Sequence, residues 1–341
     1  MAHELLDQLI IGQDLTEEQM MIYMNEIMSG EKCDAEIASF LTALKIKGES
    51  IHEIVAGAKV LREKALPIDL QDIETLDTCG TGGDSSGTYN ISTAVAVVAA
   101  AAGVSVVKHG NRSVSSKCGC ADVLEACGVK IDLNPEQVKA CIDELQIGFL
   151  FAPTFHSAMR HVGPTRKALG FRTIFNILGP LANPANAKSQ VLGVFDKALV
   201  DIFARVLQAL GVQRAMVVHG KDGLDEITVT DETYVSELRD GNIVSYIIKP
   251  EDCGIDRATI EDLQGGDVIE NAQILRQVLS GEIIGPKRDI LVLNAGAALF
   301  IADKVKDIHE GIELAKHIID TGLAISKLEA FATKTQEFAK G

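Results

Sequence analysis

The chain has 341 residues, 32 Lys+Arg against 48 Asp+Glu for a net charge of −16, and 47 % hydrophobic residues, a length that accommodates two domains needing no disulfide or metal staple. Its longest apolar run, from Ala94 to Gly103, is about half of the roughly 20 residues that a membrane span requires, and acid spread along the whole chain opposes unselective attraction to nucleic acid or anionic lipid. The opening decapeptide MAHELLDQLI lacks a basic leader region, so the expected compartment is the cytoplasm.

Residues 1–67 read as helices only. Thr16 to Gln19 and Ser50 to Glu53 are capping-box patterns ahead of apolar residues at helical spacing, Asp34 is placed to cap the helix between them, and Pro67 ends the run. From about Ile73 the pattern changes to short apolar runs alternating with helical periods, which signals an α/β region with a mostly parallel sheet and flanking helices. A strand near Ile73–Cys79 leads through a glycine-rich loop to a helix near Ser92–Ala102 and a buried strand at Val104–Val107. Asn134-Pro135 opens a further helix. Gly148–Phe151, Val191–Val194 and Ala215–Val218 read as strands, and Tyr234–Leu238 with Ile243–Ile248, joined around Asp240-Gly241, as an edge hairpin. Four to seven strands are expected. The turn-rich segment at about 160–185 interrupts the alternation and is expected to return to the helical domain, leaving 73–158 and 186–341 as the large α/β domain.

Charge placement indicates where the chemistry lies. No acid falls between Asp84 and Asp122 or between Glu144 and Asp196, yet these stretches carry Lys108, Arg112 and Lys117, and Arg160, Arg166, Lys167, Arg172 and Lys188. Burial alone would have removed the cations too, so the pattern points to an anionic ligand. The first stretch opens with Asp77-Thr-Cys-Gly-Thr-Gly-Gly-Asp84 and continues to Asn90-Ile-Ser-Thr93 at the head of the apolar helix. Glycines allow backbone amides to approach a phosphate, and Asn90 or Ser92 is placed to cap the helix. The spacing is neither a Walker loop nor GxGxxG, and by itself it also suits a tight turn. Lys108-His-Gly-Asn-Arg-Ser-Val-Ser-Ser116 follows the next strand, so both loops are expected at one sheet edge, with Lys108 and Arg112 closing over the ligand. His109 there could act as a general base or simply donate a hydrogen bond. Asp225-Glu226 suits either a solvated turn or Mg²⁺ bridging to phosphate oxygens. Seven cysteines with no paired CxxC framework signal neither zinc nor disulfides.

Taken together, the glycine loop, Asn90–Thr93, Lys108–Arg112, Ala121-Asp-Val-Leu-Glu125, Gly179-Pro-Leu-Ala-Asn-Pro184 and Asp225-Glu226 resemble the anthranilate phosphoribosyltransferase family nearly end to end. The resemblance implies a nucleoside phosphorylase/phosphoribosyltransferase-like fold. It also implies Mg²⁺-dependent transfer of phosphoribose from phosphoribosyl pyrophosphate to anthranilate, and a homodimer formed through the helical domain. It assigns phosphoribosyl pyrophosphate to Gly80, Gly83, Asp84, Thr88, Asn90, Ile91, Ser92, Thr93, Lys108, His109, Gly110, Asn111, Arg112, Ser113, Val114, Ser115, Ser116 and Cys120. Anthranilate is assigned to Gly80, Asn111 and Arg166, with His109 and His156 bordering its path, and Mg²⁺ to Ser92, Asp225 and Glu226. Cys118 and Cys120 stand where the family pattern has serine, so a weaker thiol donor replaces a hydroxyl at the phosphate end. A pyrimidine nucleoside phosphorylase of the same fold is the alternative, and it would not need the acid pair. A nucleic-acid-binding relative without catalysis is a third reading, opposed by the net charge and the acid pair.

Overall fold

The computed structural model describes residues 2–71, 73–84, 86–113 and 117–338. Four helices come first: α1 (Ala2–Ile10), α2 (Glu17–Met28), α3 (Asp34–Lys47) and α4 (Ile51–Lys64). Thr16 and Ser50 accept the backbone N–H groups of Gln19 and Glu53, forming the capping boxes their spacing predicts. Asp34 differs from its expected role: Cys33 is the N-cap, and the Asp34 carboxylate inside the first turn instead accepts the Thr165 hydroxyl at 2.8 Å.

The α/β region runs β1 (Thr75–Gly80), α5 (Ile91–Ala101), β2 (Ser105–Gly110), α6 (Cys120–Ala126), α7 (Pro135–Leu145), β3 (Ile147–Phe151), α8 (Ala152–Phe155), α9 (Gly163–Leu169), α10 (Phe175–Leu178), β4 (Ser189–Gly193), α11 (Leu199–Ala209), β5 (Arg214–Gly220), β6 (Thr233–Arg239) and β7 (Asn242–Ile248). It closes with α12 (Val268–Ser280), α13 (Pro286–Ile301), α14 (Ile308–Asp320) and α15 (Leu323–Glu337). One seven-stranded sheet has the order β3-β2-β1-β4-β5-β6-β7. The first five strands are parallel, and the β6–β7 hairpin adds antiparallel at the edge, as the Asp240-Gly241 turn predicts.

Two apolar cores flank the sheet. On one side α5, α13 and the C-terminal helices bury Val97, Val98, Leu291 and Leu293. On the other, α1–α4 share a core with α11, with Leu192 and Val217 of the sheet, and with Val162, Phe175, Leu178 and Leu181. The 160–185 segment is held there closely. An added Cβ on Gly57 would lie 2.9 Å from the Leu178 side chain, and Arg62 donates to the Leu181 carbonyl at 2.8 Å. No helix among the described residues is long and apolar enough to cross a membrane.

Four of the five parallel strands end in glycine at one edge: Gly80, Gly110, Gly193 and Gly220. The carboxyl edge of a parallel sheet is where ligands bind in open α/β folds. Missing Cβ atoms there let the following loops lie directly across the strand ends.

Candidate active site

The 221–232 loop after β5 lies over β1 and β4. A Cβ on Gly193 would sit 1.6 Å from the Asp225 carbonyl oxygen, and one on Gly80 would sit 2.5 Å from Asp225 Oδ2. Glycine at both strand ends is therefore the condition for Asp225 to reach the glycine loop, where the Gly82 N–H donates to Asp225 Oδ2 at 2.8 Å. The neighbouring acid turns toward α5, and Glu226 Oε1 accepts the Ser92 N–H at 3.2 Å. Asn90 occupies the N-cap position of α5 without bonding through its side chain as expected of a cap; its amide donates to the Cys118 carbonyl instead. Glu226 thus takes the helix-start amide, where a negative charge is favoured.

The sequence pattern puts Lys108 on a covering loop, and the structure corrects that placement. Lys108, His109 and Gly110 belong to β2, and the Lys108 side chain is 3 % exposed. Its ammonium donates to the Thr78 carbonyl and to Ser92 Oγ, the latter at 3.2 Å, while Thr78 Oγ1 donates to the Ser92 carbonyl at 2.9 Å. Lys108 is a fixed internal cation between β1 and the start of α5. Beneath it, fully buried Asp77 accepts from Asn183 Nδ2 at 2.8 Å and from the His109 N–H at 3.4 Å. Burial raises the Asp77 pKa, against the lowering pull of Lys108 and Asn183.

Arg112 is likewise not poised over the loop. Its guanidinium pairs with Asp122 at 2.9 Å and with Glu125 at 2.8 Å, both on α6. Val114, Ser115 and Ser116 lie outside the described residues. Ser113 donates its N–H to Asp122 at 3.0 Å, and the Cys120 thiol donates to the Asn111 carbonyl at 3.4 Å. Cys120 also abuts the β2 end, since a Cβ on Gly110 would lie 2.3 Å from its sulfur. Thr88 bridges to Gln264, which pins the far side of the glycine loop.

Three carboxylates cluster at this edge. Burial pushes Asp225 up to about 7, with the charge of Asp84 as the next cause, and burial followed by Asp225 raises Glu226 well above the usual carboxylate range. Like charges in a half-buried site are costly without a cation. Hard oxygen donors beside an anion-binding loop fit Mg²⁺, which takes one or two carboxylates and completes its shell with phosphate oxygens and water. Among the described residues no group of three or more His, Cys, Asp or Glu side chains that could hold a metal ion is present, so Mg²⁺ here would draw most of its shell from phosphate oxygens and water.

His109 and His156 stack edge to face, with ring centroids 5.1 Å apart, and each has a buried Nε2 lacking a hydrogen-bond partner. Burial, then His156, pushes His109 down to about 3. A ring that weakly basic is neutral at pH 7 and ill-suited as a general base, which leaves the hydrogen-bonding role. Arg166 on α9 stands apart from the carboxylate network, half-buried over the Phe175 ring at 5.4 Å.

Sequence reasoning missed Gly193 as part of the site, and it named Arg172 only among the cations of the second acid-free stretch, without a role. The recurrence of glycine at strand ends would have pointed to Gly193. Arg172 donates to the Gly83 carbonyl and stacks on the Phe195 ring at 4.1 Å, and no carboxylate pairs with it among the described residues. A planar guanidinium braced in this way positions the glycine loop. Arg172→Ala should raise the KM for the anionic ligand of the glycine loop about tenfold, the effect of losing one charge-assisted hydrogen bond, and change kcat little. Arg172→Lys should not restore it; steady-state kinetics read both.

The fold and the site define a class. Residues 72–325 match the glycosyl transferase family a/b domain, and residues 3–65 the helical bundle domain of the same family. The chain is 53 % identical over 337 residues to the anthranilate phosphoribosyltransferase of Alkaliphilus metalliredigens, covering 99 % of each, and 54 % identical over 338 residues to that of Acetivibrio thermocellus, covering 99 % and 98 %. It superposes on the Thermus thermophilus anthranilate phosphoribosyltransferase with a TM-score of 0.92 at 44 % identity, covering 97 % and 99 % of the two chains. On the Saccharomyces cerevisiae enzyme in complex with phosphoribosyl pyrophosphate and Mg the TM-score is 0.90 at 28 % identity, covering 98 % of each. The chain belongs to the anthranilate phosphoribosyltransferase family. These likenesses support that reading over the pyrimidine nucleoside phosphorylase alternative.

Proposed function

We propose that Asp225 and Glu226, with Ser92, hold Mg²⁺ for the reaction of this family, transfer of phosphoribose from phosphoribosyl pyrophosphate to the amine of anthranilate with release of pyrophosphate, in tryptophan biosynthesis. The convergence of Asp84, Asp225 and Glu226 between the glycine loop and the start of α5, with Asp225 and Glu226 pushed above the ordinary carboxylate range, carries this reading. Bound Mg²⁺ supplies electrostatic stabilisation of the leaving pyrophosphate. Gly80, Gly83, Asp84, Thr88 and Asn90 to Thr93 line the phosphoribosyl pyrophosphate site, and the segment from Lys108 onward, with Cys120, borders it. Lys108 acts from beneath, holding Ser92 and the head of α5 in place.

Gly80, Asn111 and Arg166 receive anthranilate, Arg166 offering a planar fork to its carboxylate. An aniline-type amine is already neutral at pH 7, so the reaction asks for positioning and charge stabilisation more than for a base. The weak basicity of His109 agrees with that. Closure of the helical unit, residues 2–67 with 160–185, over the sheet edge would shield the activated sugar from water. The partner is a second copy of the chain, met through the helical unit, whose exposed apolar side chains include Ile10, Ile11 and Ile46 at 70 %, 69 % and 82 %. The setting is cytoplasmic.

Mixing the protein with anthranilate, phosphoribosyl pyrophosphate and Mg²⁺ should extinguish anthranilate fluorescence, and chelator should stop the decay. A decay that persists in excess chelator would remove the metal from this scheme.

A further inference from the structure

Asn294 sits mid-helix in α13, within the apolar run Ile290-Leu-Val-Leu-Asn294-Ala-Gly-Ala-Ala-Leu299, and is 1 % exposed. A carboxamide buried in apolar surroundings is costly unless its hydrogen bonds are made, and here they are spent on the active-site loop. Asn294 Oδ1 accepts the Ile227 N–H at 2.9 Å, and Nδ2 donates to the Ile227 carbonyl at 2.8 Å and to the Ile290 carbonyl at 2.8 Å. Ile227 is fully buried and lies between β5 and β6, outside the strands. The side chain of Asn294 supplies the paired donor and acceptor that a neighbouring strand would otherwise give.

The captured N–H belongs to the peptide joining Glu226 to Ile227. Fixing that peptide plane fixes the direction in which the Glu226 side chain leaves the backbone, and Asp225 is one residue further back. The platform itself is stiff. A Cβ on Gly311 would lie 2.4 Å from the Gly296 carbonyl oxygen, so α13 and α14 meet backbone to backbone two residues beyond Asn294.

We propose that Asn294 is a positioning residue for the Mg²⁺ acids, its carboxamide clamping Ile227 so that Glu226 is held at the start of α5 and Asp225 at the glycine loop. This rests on the assignment of Asp225 and Glu226 to the metal, and the test separates the two. The probe is Mn²⁺ in the presence of pyrophosphate, titrated by electron paramagnetic resonance into the full chain, the Asn294→Ser variant and the Asp225→Asn/Glu226→Gln variant. Loss of a group that orients metal ligands characteristically weakens metal binding by about 10–100-fold, and that is the rise in Mn²⁺ dissociation constant expected for Asn294→Ser. Its transferase activity should recover at raised Mg²⁺, with the KM for anthranilate unchanged. Wild-type Mn²⁺ affinity in Asn294→Ser, alongside weakened binding in the acid variant, would overturn the role of Asn294 and leave the metal assignment standing. Unchanged Mn²⁺ binding in the acid variant would overturn both. A merely structural role would lower Tm and activity at every Mg²⁺ concentration with Mn²⁺ affinity intact. Should Asn294→Ser not fold, Asn294→Gln, which keeps both donor and acceptor on a longer stem, carries the same titration.

Discussion

Replacing Asp225 by Asn and Glu226 by Gln together should lower kcat/KM on the order of 10³-fold, because the Lewis-acid contribution of a bound metal is worth several kcal/mol of transition-state stabilisation. The same change should raise the Tm of the ligand-free protein. Both acids are half-buried, burial is the largest cause of their raised pKa values, and each is opposed by a neighbouring carboxylate. Neutral isosteres keep the acceptors for the Gly82 and Ser92 amides and remove the repulsion. Loss of activity with gain of stability distinguishes a charge arranged for a ligand from one that holds the fold together; a variant that loses both would place the acids in the structural framework.

Asp225 is raised from 3.8 to about 7 in the folded protein, so the native state binds the proton more tightly than the unfolded chain. Its contribution favours folding below about pH 4, declines as pH rises toward 7, and is flat above that. Between pH 5 and pH 8 the ligand-free protein should therefore lose stability relative to the double variant, and Mg²⁺ with pyrophosphate should close the gap at pH 8. Thermal melts at the two pH values, with and without those ligands, measure it.

The parts of the site legible in the sequence are those fixed locally. Capping boxes at Thr16 and Ser50, the Asp240-Gly241 hairpin turn and the glycine loop after β1 depend on near neighbours, and the structure places each where its spacing indicates. Charge depletion likewise draws attention to both cationic stretches. Orientation is not legible. Lys108 resembles a loop cation because Gly110 follows it closely, but the strand runs two residues further and turns the ammonium inward. Arg112 is claimed by Asp122 and Glu125, residues on a helix whose facing direction no local pattern reveals. Asn294 leaves a trace, a lone amide in an apolar helix; its partner is 67 residues away in sequence, so only the tertiary packing identifies it.

Lys108→Met should destabilise the protein by about 2–6 kcal/mol, because two acceptors are each left without their donor at a cost of about 1–3 kcal/mol. Methionine fills nearly the same space, so the loss is electrostatic and hydrogen-bonding rather than a cavity. The Thr78 carbonyl and Ser92 Oγ each lose their donor. Asp77 and Glu226 lose the cation that lowers their pKa values, while burial continues to raise them. With folded pKa values pushed higher still, these acids hold their protons more tightly in the folded variant than in wild type, so the variant's deficit is smaller at low pH and grows as pH rises. The stability gap between wild type and Lys108→Met in urea should accordingly be small at pH 5 and widest at pH 8. A gap of equal size at both would mean that Lys108 contributes through its two hydrogen bonds alone, and that the acids around it are balanced by other groups.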